Sequence, residues 1–344
     1  MPSLSIFSRK PFSQMKLVFS LSMMVLLATT GPKVKAQDSS ELLGRWDISV
    51  EGKTGDYPSW LEVRKSGHKT LVGSFVGQFG SARPISEIRF DGEEMRFQIP
   101  PQWENRDRDL VFEGTLAEGK LSGVATDSEG GLLKWTAVRA PALKRKGSPV
   151  WGEPTPLFNG KNVSGWRSRF EDRPHGWEVV DGLLSNVRPG VDLVTTDKFE
   201  DFKLNVEFRY PEGSNSGIYL RGRYEVQIED NFGDDPDSHK IGGVYGFLTP
   251  SLNAAKPAGE WQTMEITLVG RALTLVFNGE RVLDRQSIPG ITGGALDNLE
   301  GQPGPLMIQG DHGPVEFRKI AIALPKEWYS GQVSRESWCE KRCG

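Results

Sequence analysis

Tyr219-Leu-Arg-Gly-Arg-Tyr-Glu-Val-Gln-Ile-Glu229 alternates apolar with polar side chains from end to end. A β-strand sends successive side chains to opposite faces. Leu220, Tyr224, Val226 and Ile228 therefore share one face, and Tyr219, Arg221, Arg223, Glu225, Gln227 and Glu229 the other. The same period runs through Lys203–Tyr210, where Leu204, Val206, Phe208 and Tyr210 oppose Lys203, Asn205, Glu207 and Arg209. Asn278-Gly279, set between Leu273–Phe277 and Arg281–Leu283, is a two-residue hairpin signal. No segment sustains a helical period. Residues from about Leu157 to Leu324 are thus expected to form antiparallel sheets packed on one core, a β-sandwich of the jelly-roll kind.

Toward the N-terminus the alternation continues in shorter pieces. Trp46, Ile48 and Val50, then Met95, Phe97 and Ile99, then Leu133, Trp135 and Ala137 mark inward faces. Asp91-Gly92, Glu118-Gly119 and Gly130-Gly131 supply turns between the runs. About eight short strands in roughly a hundred residues predict a small antiparallel meander closed into a barrel or sandwich over residues 37–140. Its opening Gly44-Arg45-Trp46 resembles lipocalin-like barrels. His68, beside Gly67, reads as a solvated turn residue, and this half carries no evident chemistry. Residues 141–155 hold Pro141, Pro149 and Pro154 and the basic run Lys144-Arg145-Lys146. They read as a semi-stiff, solvated linker. The chain is all-β on this reading: an N-terminal barrel or meander, then a sandwich over 156–325 and a tail over 326–344.

Forty Gly and 22 Pro in 344 residues agree with many turns and few helices. Arg9, Lys10 and Lys16 precede the apolar run Leu17–Ala28, and Val34-Lys35-Ala36 offers a small-residue cleavage site. Residues 1–36 therefore read as a secretion signal. The apolar run is shorter than the roughly 20 residues a membrane span needs. The mature chain is expected to be periplasmic or extracellular, without a membrane anchor. Removing the five basic residues of this segment takes the formal charge from −3 to −8. That sign excludes a nucleic-acid partner, whose phosphates would repel it. Cys339 and Cys343 read as a tail staple or free thiols, since a zinc site would need a second ligand pair.

The polar face of Arg221–Glu229 has more hydrogen-bonding capacity than solvation requires. Neighbours on one face of a strand stand about 6.5–7 Å apart, the footprint of a sugar on a sheet. A charge-paired ladder on a solvent face is the competing reading. Asp234, Asp235, Asp237 and His239 could ligate a divalent cation. Their spacing fits neither an EF-hand nor a zinc motif, so a solvated acidic loop is preferred. No cofactor is assigned and a divalent metal is left open. Trp177 and Trp261 could stack on a sugar but sit in strand-like runs that suit a core, and His175 has no evident partner.

A family resemblance emerges from motifs in order. They are Pro156-Leu-Phe-Asn-Gly-Lys-Asn-Val-Ser-Gly-Trp166, Trp177-Glu-Val-Val-Asp-Gly-Leu-Leu184, Phe199-Glu-Asp-Phe-Lys-Leu204 and Asn215-Ser-Gly-Ile-Tyr-Leu-Arg221. Tyr224-Glu-Val-Gln-Ile228, Gly243-Val-Tyr245, Gly259-Glu-Trp-Gln262 and Ile308-Gln-Gly-Asp-His-Gly-Pro-Val-Glu-Phe-Arg318 follow. Together they resemble the 3-keto-disaccharide hydrolase domain, also described as a 3-keto-glycoside 1,2-lyase/hydratase, with a concanavalin A-like jelly roll. The resemblance covers residues 156–324 and not the N-terminal half. It implies a glycoside or oligosaccharide substrate carrying a C3 ketone, loss of the C2 proton, elimination at C1 and rehydration. Glu225 and His312 are the candidates for base and acid, in either order, with Asp311 setting the local charge. Arg221 and Arg318 are candidate electrostatic clamps, and Asn215, Gln227 and Tyr245 candidate hydroxyl binders. Bland alternatives stand beside these: Glu316 pairing with Arg318, Asn215-Ser216-Gly217 as a turn, His312 capping a loop. Gly310 is a departure from the family motif that could shift His312. Two other functions are carried: a non-catalytic glycan-binding module, and a retaining β-glucanase using Glu225 and Glu229. Gln227, where jelly-roll glucanases place Asp between their two Glu, counts against the last.

Overall fold

Short alternating strands leave two unpaired edges unless the sheet closes, and in the N-terminal half it does close. The computed structural model describes residues 39–329 other than Trp103 and Ser128. The expected signal of residues 1–36 and the two cysteines lie outside the described residues. Eight strands, β1 (Gly44–Val50), β2 (Tyr57–Ser66), β3 (Thr70–Val76), β4 (Arg83–Phe90), β5 (Glu94–Ile99), β6 (Leu110–Ala117), β7 (Lys120–Thr126) and β8 (Leu132–Arg139), pair in sequence order. Strand β8 returns to pair with β1, giving an antiparallel barrel. Trp46, Ile48, Met95, Phe97, Phe112 and Trp135 fill its interior, with Phe97 and Phe112 stacked at 4.8 Å.

The second half is the expected sandwich. One sheet runs, in spatial order, Trp177–Val180, Leu183–Asn186, Glu316–Ala323, Phe202–Arg209, Gln262–Val269, Ala272–Phe277 and Glu280–Ser287, with Thr155–Pro156 beside Glu316–Ala323. The other runs Trp166–Ser168, Leu193–Thr195, Met307–Ile308, Asn215–Leu220 and Tyr224–Glu229. Leu204, Val206 and Phe208 from the first sheet meet Ile218, Val226 and Ile228 from the second in one core. Asn278 and Gly279 both take positive φ, as a two-residue hairpin turn requires. No helix of the described residues is long and apolar enough to cross a membrane.

Two expectations are corrected. Tyr219–Glu229 is not one strand: Arg221 and Gly222 take φ of 54° and 67° and turn the chain into a hairpin. The alternation survived because Tyr219 and Glu225 are cross-strand partners and so share a face. The stretch read as a solvated linker is anchored. Arg145 pairs with Asp201 at 2.6 Å and Glu200 at 2.5 Å, and Ser148–Trp151 pairs as a strand with Pro325–Tyr329.

The outer face of the barrel also departs from simple alternation. Asp47, Trp60 and Val76 lie in register across β1, β2 and β3, and all three are buried. Trp60 and Val76 belong to the sandwich core, with Trp60 edge-on to Phe247 at 5.4 Å. A Cβ on Gly290 would stand 2.2 Å from Trp60 Nε1, so glycine is needed where the indole enters. Truncating a buried Trp costs about 3–5 kcal/mol, which makes this row a principal bond between the halves. We propose that the halves are separate domains joined near residues 141–155.

Asp47 meets Glu300 across the same seam. Glu300 accepts hydrogen bonds from Tyr224 Oη and Arg271 Nη2, each at 2.6 Å. Burial, and then the Glu300 charge, push the Asp47 carboxyl far above the ordinary carboxylate range. A group with a raised native value contributes its stability fully below its unfolded value and loses it as pH rises through the native one. Asp47→Asn cannot ionise and keeps a donor toward Glu300. Its thermal midpoint is therefore predicted to gain on the parent between pH 5 and pH 8.5. An equal difference at both pH values would contradict the assignment.

Candidate active site

The face of the hairpin turned away from the core builds a cavity. Asn215, Gly217 and Tyr219 on one strand stand opposite Glu229, Gln227 and Glu225 on the other. The segment Gly243–Tyr245 covers the outer edge, with Tyr245 N donating to Glu225 O at 3.0 Å and Gln227 N to Gly243 O at 2.9 Å. On the opposite side Gln309 N donates to Gly217 O at 2.9 Å. The enclosed volume is about 130 Å³.

Glu225 lies at its base, buried, over a residue without a side chain. A Cβ on Gly217 would stand 2.5 Å from Glu225 Oε1, so the carboxyl occupies space that only glycine leaves open. Tyr219 Oη lies 2.9 Å from Glu225 Oε2 and 3.0 Å from Gly293 O. A phenol has one proton, and an ionised Glu225 would present it with two acceptors. With Glu225 protonated both bonds are made: Glu225 donates to Tyr219, and Tyr219 donates to the Gly293 carbonyl. The electrostatics agree. Burial lifts the Glu225 pKa to about 8, against the opposing pull of the Tyr219 hydrogen bond and the nearby His312.

His312 stands half-buried at the rim on the loop 310–314. Asn186 Nδ2 donates to the carbonyls of Gly310 and Gly313, each at 3.0 Å. Asp192 Oδ1 accepts from Gly310 N at 3.0 Å, and Ser214 Oγ donates to Pro314 O at 2.5 Å. Gly310 packs where a Cβ would meet Trp177 Nε1 and Val191 O at 2.7 Å. His312 Nδ1 lies 2.6 Å from Asp311 Oδ1. The contact holds Asp311 below its ordinary value and lifts His312 above 6.5. Nδ1 is thereby committed to Asp311, which leaves Nε2 to exchange a proton with a ligand.

Six of the residues singled out from sequence line this one cavity: Glu225, His312, Asp311, Asn215, Gln227 and Tyr245. Gln227 Nε2 reaches Asn215 Oδ1 at 3.5 Å. Among the described residues no donor meets the buried Gln227 Oε1 or Gln309 Oε1, as for acceptors awaiting hydroxyl groups. Tyr245 is held edge-on to His239 at 5.1 Å.

Arg221 and Arg318 are elsewhere. Arg221, in the hairpin turn, points into the protein body and donates to Tyr224 Oη, Gly270 O and Glu300 O. Arg318 pairs with Glu207 at 2.7 Å and stacks on Trp261 on another face. Glu316 pairs with Arg209 rather than Arg318. Trp177 is core, and His175 Nδ1 accepts from Trp177 N at 3.2 Å. Glu229 does not line the cavity. In the acidic loop Asp237 pairs with His239 and Asp234 with Lys240. Among the described residues no three His, Cys, Asp or Glu are grouped to hold a metal ion.

Sequence reasoning missed Arg169, Asp192, Tyr219 and Gln309, which also line the cavity. Arg169 Nη1 is 2.8 Å from Asp192 Oδ2, on segments too short to show a period. Tyr219 was visible on the polar face of the hairpin; its partnership with Glu225 follows only from the register.

Residues 153–323 match the model of the 3-keto-alpha-glucoside-1,2-lyase-like domain family, which bears out the resemblance over the sandwich. The 3-keto-disaccharide hydrolase of Bacteroides thetaiotaomicron is 28% identical to this chain over a region that is 37% of this chain and 57% of that protein. The chain therefore spans little more than half the length of this curated relative. Two solved chains from Parabacteroides distasonis, described as candidate glycosyl hydrolases, are each 26% identical. The first covers 57% of this chain and 98% of its own with a TM-score of 0.44, the second 50% and 98% with 0.40.

The seat of Glu225 can be tested directly. Gly217→Ala is predicted to leave the fold intact by circular dichroism and to force the carboxyl off its position. Its titration midpoint, followed by carbon NMR of labelled Glu, should then fall from about 8 toward the ordinary carboxylate value. An unchanged midpoint would mean that the glycine does not set the environment.

Proposed function

We propose that this protein is an exported enzyme that cleaves 3-keto-glycosides by elimination and rehydration. One observation carries the reading: a buried carboxyl hydrogen-bonded to Tyr219, that of Glu225, shares a small polar cavity with an imidazole backed by a carboxylate, His312–Asp311. The family match over residues 153–323 supports the substrate class. The basic, apolar and small-residue pattern of residues 1–36 supports export.

A ketone at C3 acidifies the C2 proton. Neutral His312 takes that proton at Nε2, and the electron pair becomes an enolate whose charge rests on the C3 oxygen. Arg169, which lines the cavity beside Asp192, would stabilise that charge. Collapse of the enolate restores the ketone, forms the C1–C2 double bond and breaks the C1–O bond. Glu225 gives its proton to the departing oxygen. Water then adds to C1, losing a proton to the Glu225 carboxylate, while His312 returns its proton to C2. The products are the 3-keto-sugar and the free alcohol, and both groups regain their starting states. Gln227, Gln309 and Asn215 would hold the sugar hydroxyls.

The roles fix a pH profile. Activity needs His312 neutral and Glu225 protonated, so it should rise through a value above 6.5 and fall near 8. Aglycone release from a 3-keto-glucoside and from its unoxidised parent tests the chemistry, with cleavage of the keto compound alone expected. His312→Ala should lower turnover by about 10²–10⁴-fold for every keto substrate. Glu225→Gln should do the same for a methyl leaving group but far less for a nitrophenyl one, which departs without a proton. Equal losses for both leaving groups in single-turnover aglycone release, which precedes water addition, would show that Glu225 is not the acid.

A further inference from the structure

The cavity that holds Glu225 is not closed by the sandwich alone. Phe79 and Gly80, from the loop joining β3 to β4, form part of its wall. Gly294 N donates to Gln78 O at 2.8 Å. A Cβ on Gly293 would meet Gly80 O at 2.3 Å, and one on Gly246 would meet Ser81 Cβ at 2.5 Å. Paired glycines thus let the barrel loop lie backbone-to-backbone on the segment whose carbonyl, Gly293 O, receives the Tyr219 hydroxyl. The loop is a seated part of the site.

Phe79 has a second neighbour. It also lines a cavity of about 390 Å³ at the mouth of the barrel, walled by Tyr57, Phe75, Phe112 and Leu133. Phe79 is 57% exposed, which leaves its side chain accessible to a ligand. The two cavities differ in character. The one around Glu225 is small and lined by carboxyl, amide and imidazole groups, as a single keto-sugar ring requires. The one in the barrel is larger, aromatic on several sides, and has a nearly buried Arg83 paired with Glu104 at 2.6 Å on its wall.

We propose that the barrel mouth is the leaving-group subsite of this enzyme, with Phe79 as the platform between it and the reacting sugar. The ligand class it fits is an aglycone bearing a flat apolar ring. The inference rests on the elimination reading for its chemistry. It goes beyond that reading by assigning a binding role to the half of the chain that lies outside the matched family domain. Phe79 acts as a positioning residue: it touches the leaving group and not the reacting atoms.

The full chain is assayed with methyl and benzyl 3-keto-glucosides, whose leaving groups are both alkoxides. The benzyl compound should be favoured in kcat/KM by about tenfold or more. Phe79→Ala should erase that preference by raising KM for the benzyl compound about tenfold more than for the methyl one, and Phe79→Tyr should restore it. Benzyl alcohol should inhibit the parent competitively and Phe79→Ala much more weakly. No preference in the parent, or equal loss for both substrates in Phe79→Ala, would overturn the proposal. If neither compound is cleaved, the elimination chemistry fails while the subsite is still decided by benzyl alcohol binding. NMR shifts confined to the barrel-mouth residues and lost in Phe79→Ala would support it, and their absence would refute it.

Discussion

A carboxyl kept out of water on a sheet face, with a phenol as its hydrogen-bond partner, is the constraint on which the site depends. Burying an ionised carboxylate is costly enough that the group retains its proton instead. Glu225 does so because Gly217 leaves space beneath it and Tyr219 closes over it. The Tyr219 proton in turn goes to Gly293 O. This chain of single protons makes Glu225 an acid at rest, while His312, half-buried and paired with Asp311, is the group able to act as base.

The same chain reaches the barrel. Gly293 lies against Gly80, and the row Asp47–Trp60–Val76 sets the barrel on the sandwich below that contact. Burial of Trp60 in the sandwich core, with the Asp47–Glu300 seam beside it, fixes the register of the two halves. The position of Phe79 at the cavity wall follows from that docking rather than from anything within its own loop.

Much of the architecture was legible in sequence because period two is a strong signal. The barrel strands, the Asn278-Gly279 hairpin and the inward face of Phe202–Arg209 all follow from it. Six site residues were legible too, through alternation and the family motifs. Arg221 was misplaced because a turn of three residues preserves parity while redirecting side chains, so it looked like a member of the polar row. Asp47 alternates with the inward Trp46 and Ile48 and so falls on the outside of the barrel, and alternation does not say what docks there. Arg169, Asp192 and Phe79 lie on loops or very short strands, where position is set by tertiary contact alone.

The assignment of acid and base turns on whether Glu225 holds its proton in the resting protein. Difference infrared spectroscopy of the parent against Glu225→Gln isolates its carboxylic-acid carbonyl band from that of Asp47. This band should be present at pH 6.5 and lost with a midpoint near 8. A parent that shows only the carboxylate band of Glu225 at pH 6.5 would contradict it, and with it the assignment of acid and base.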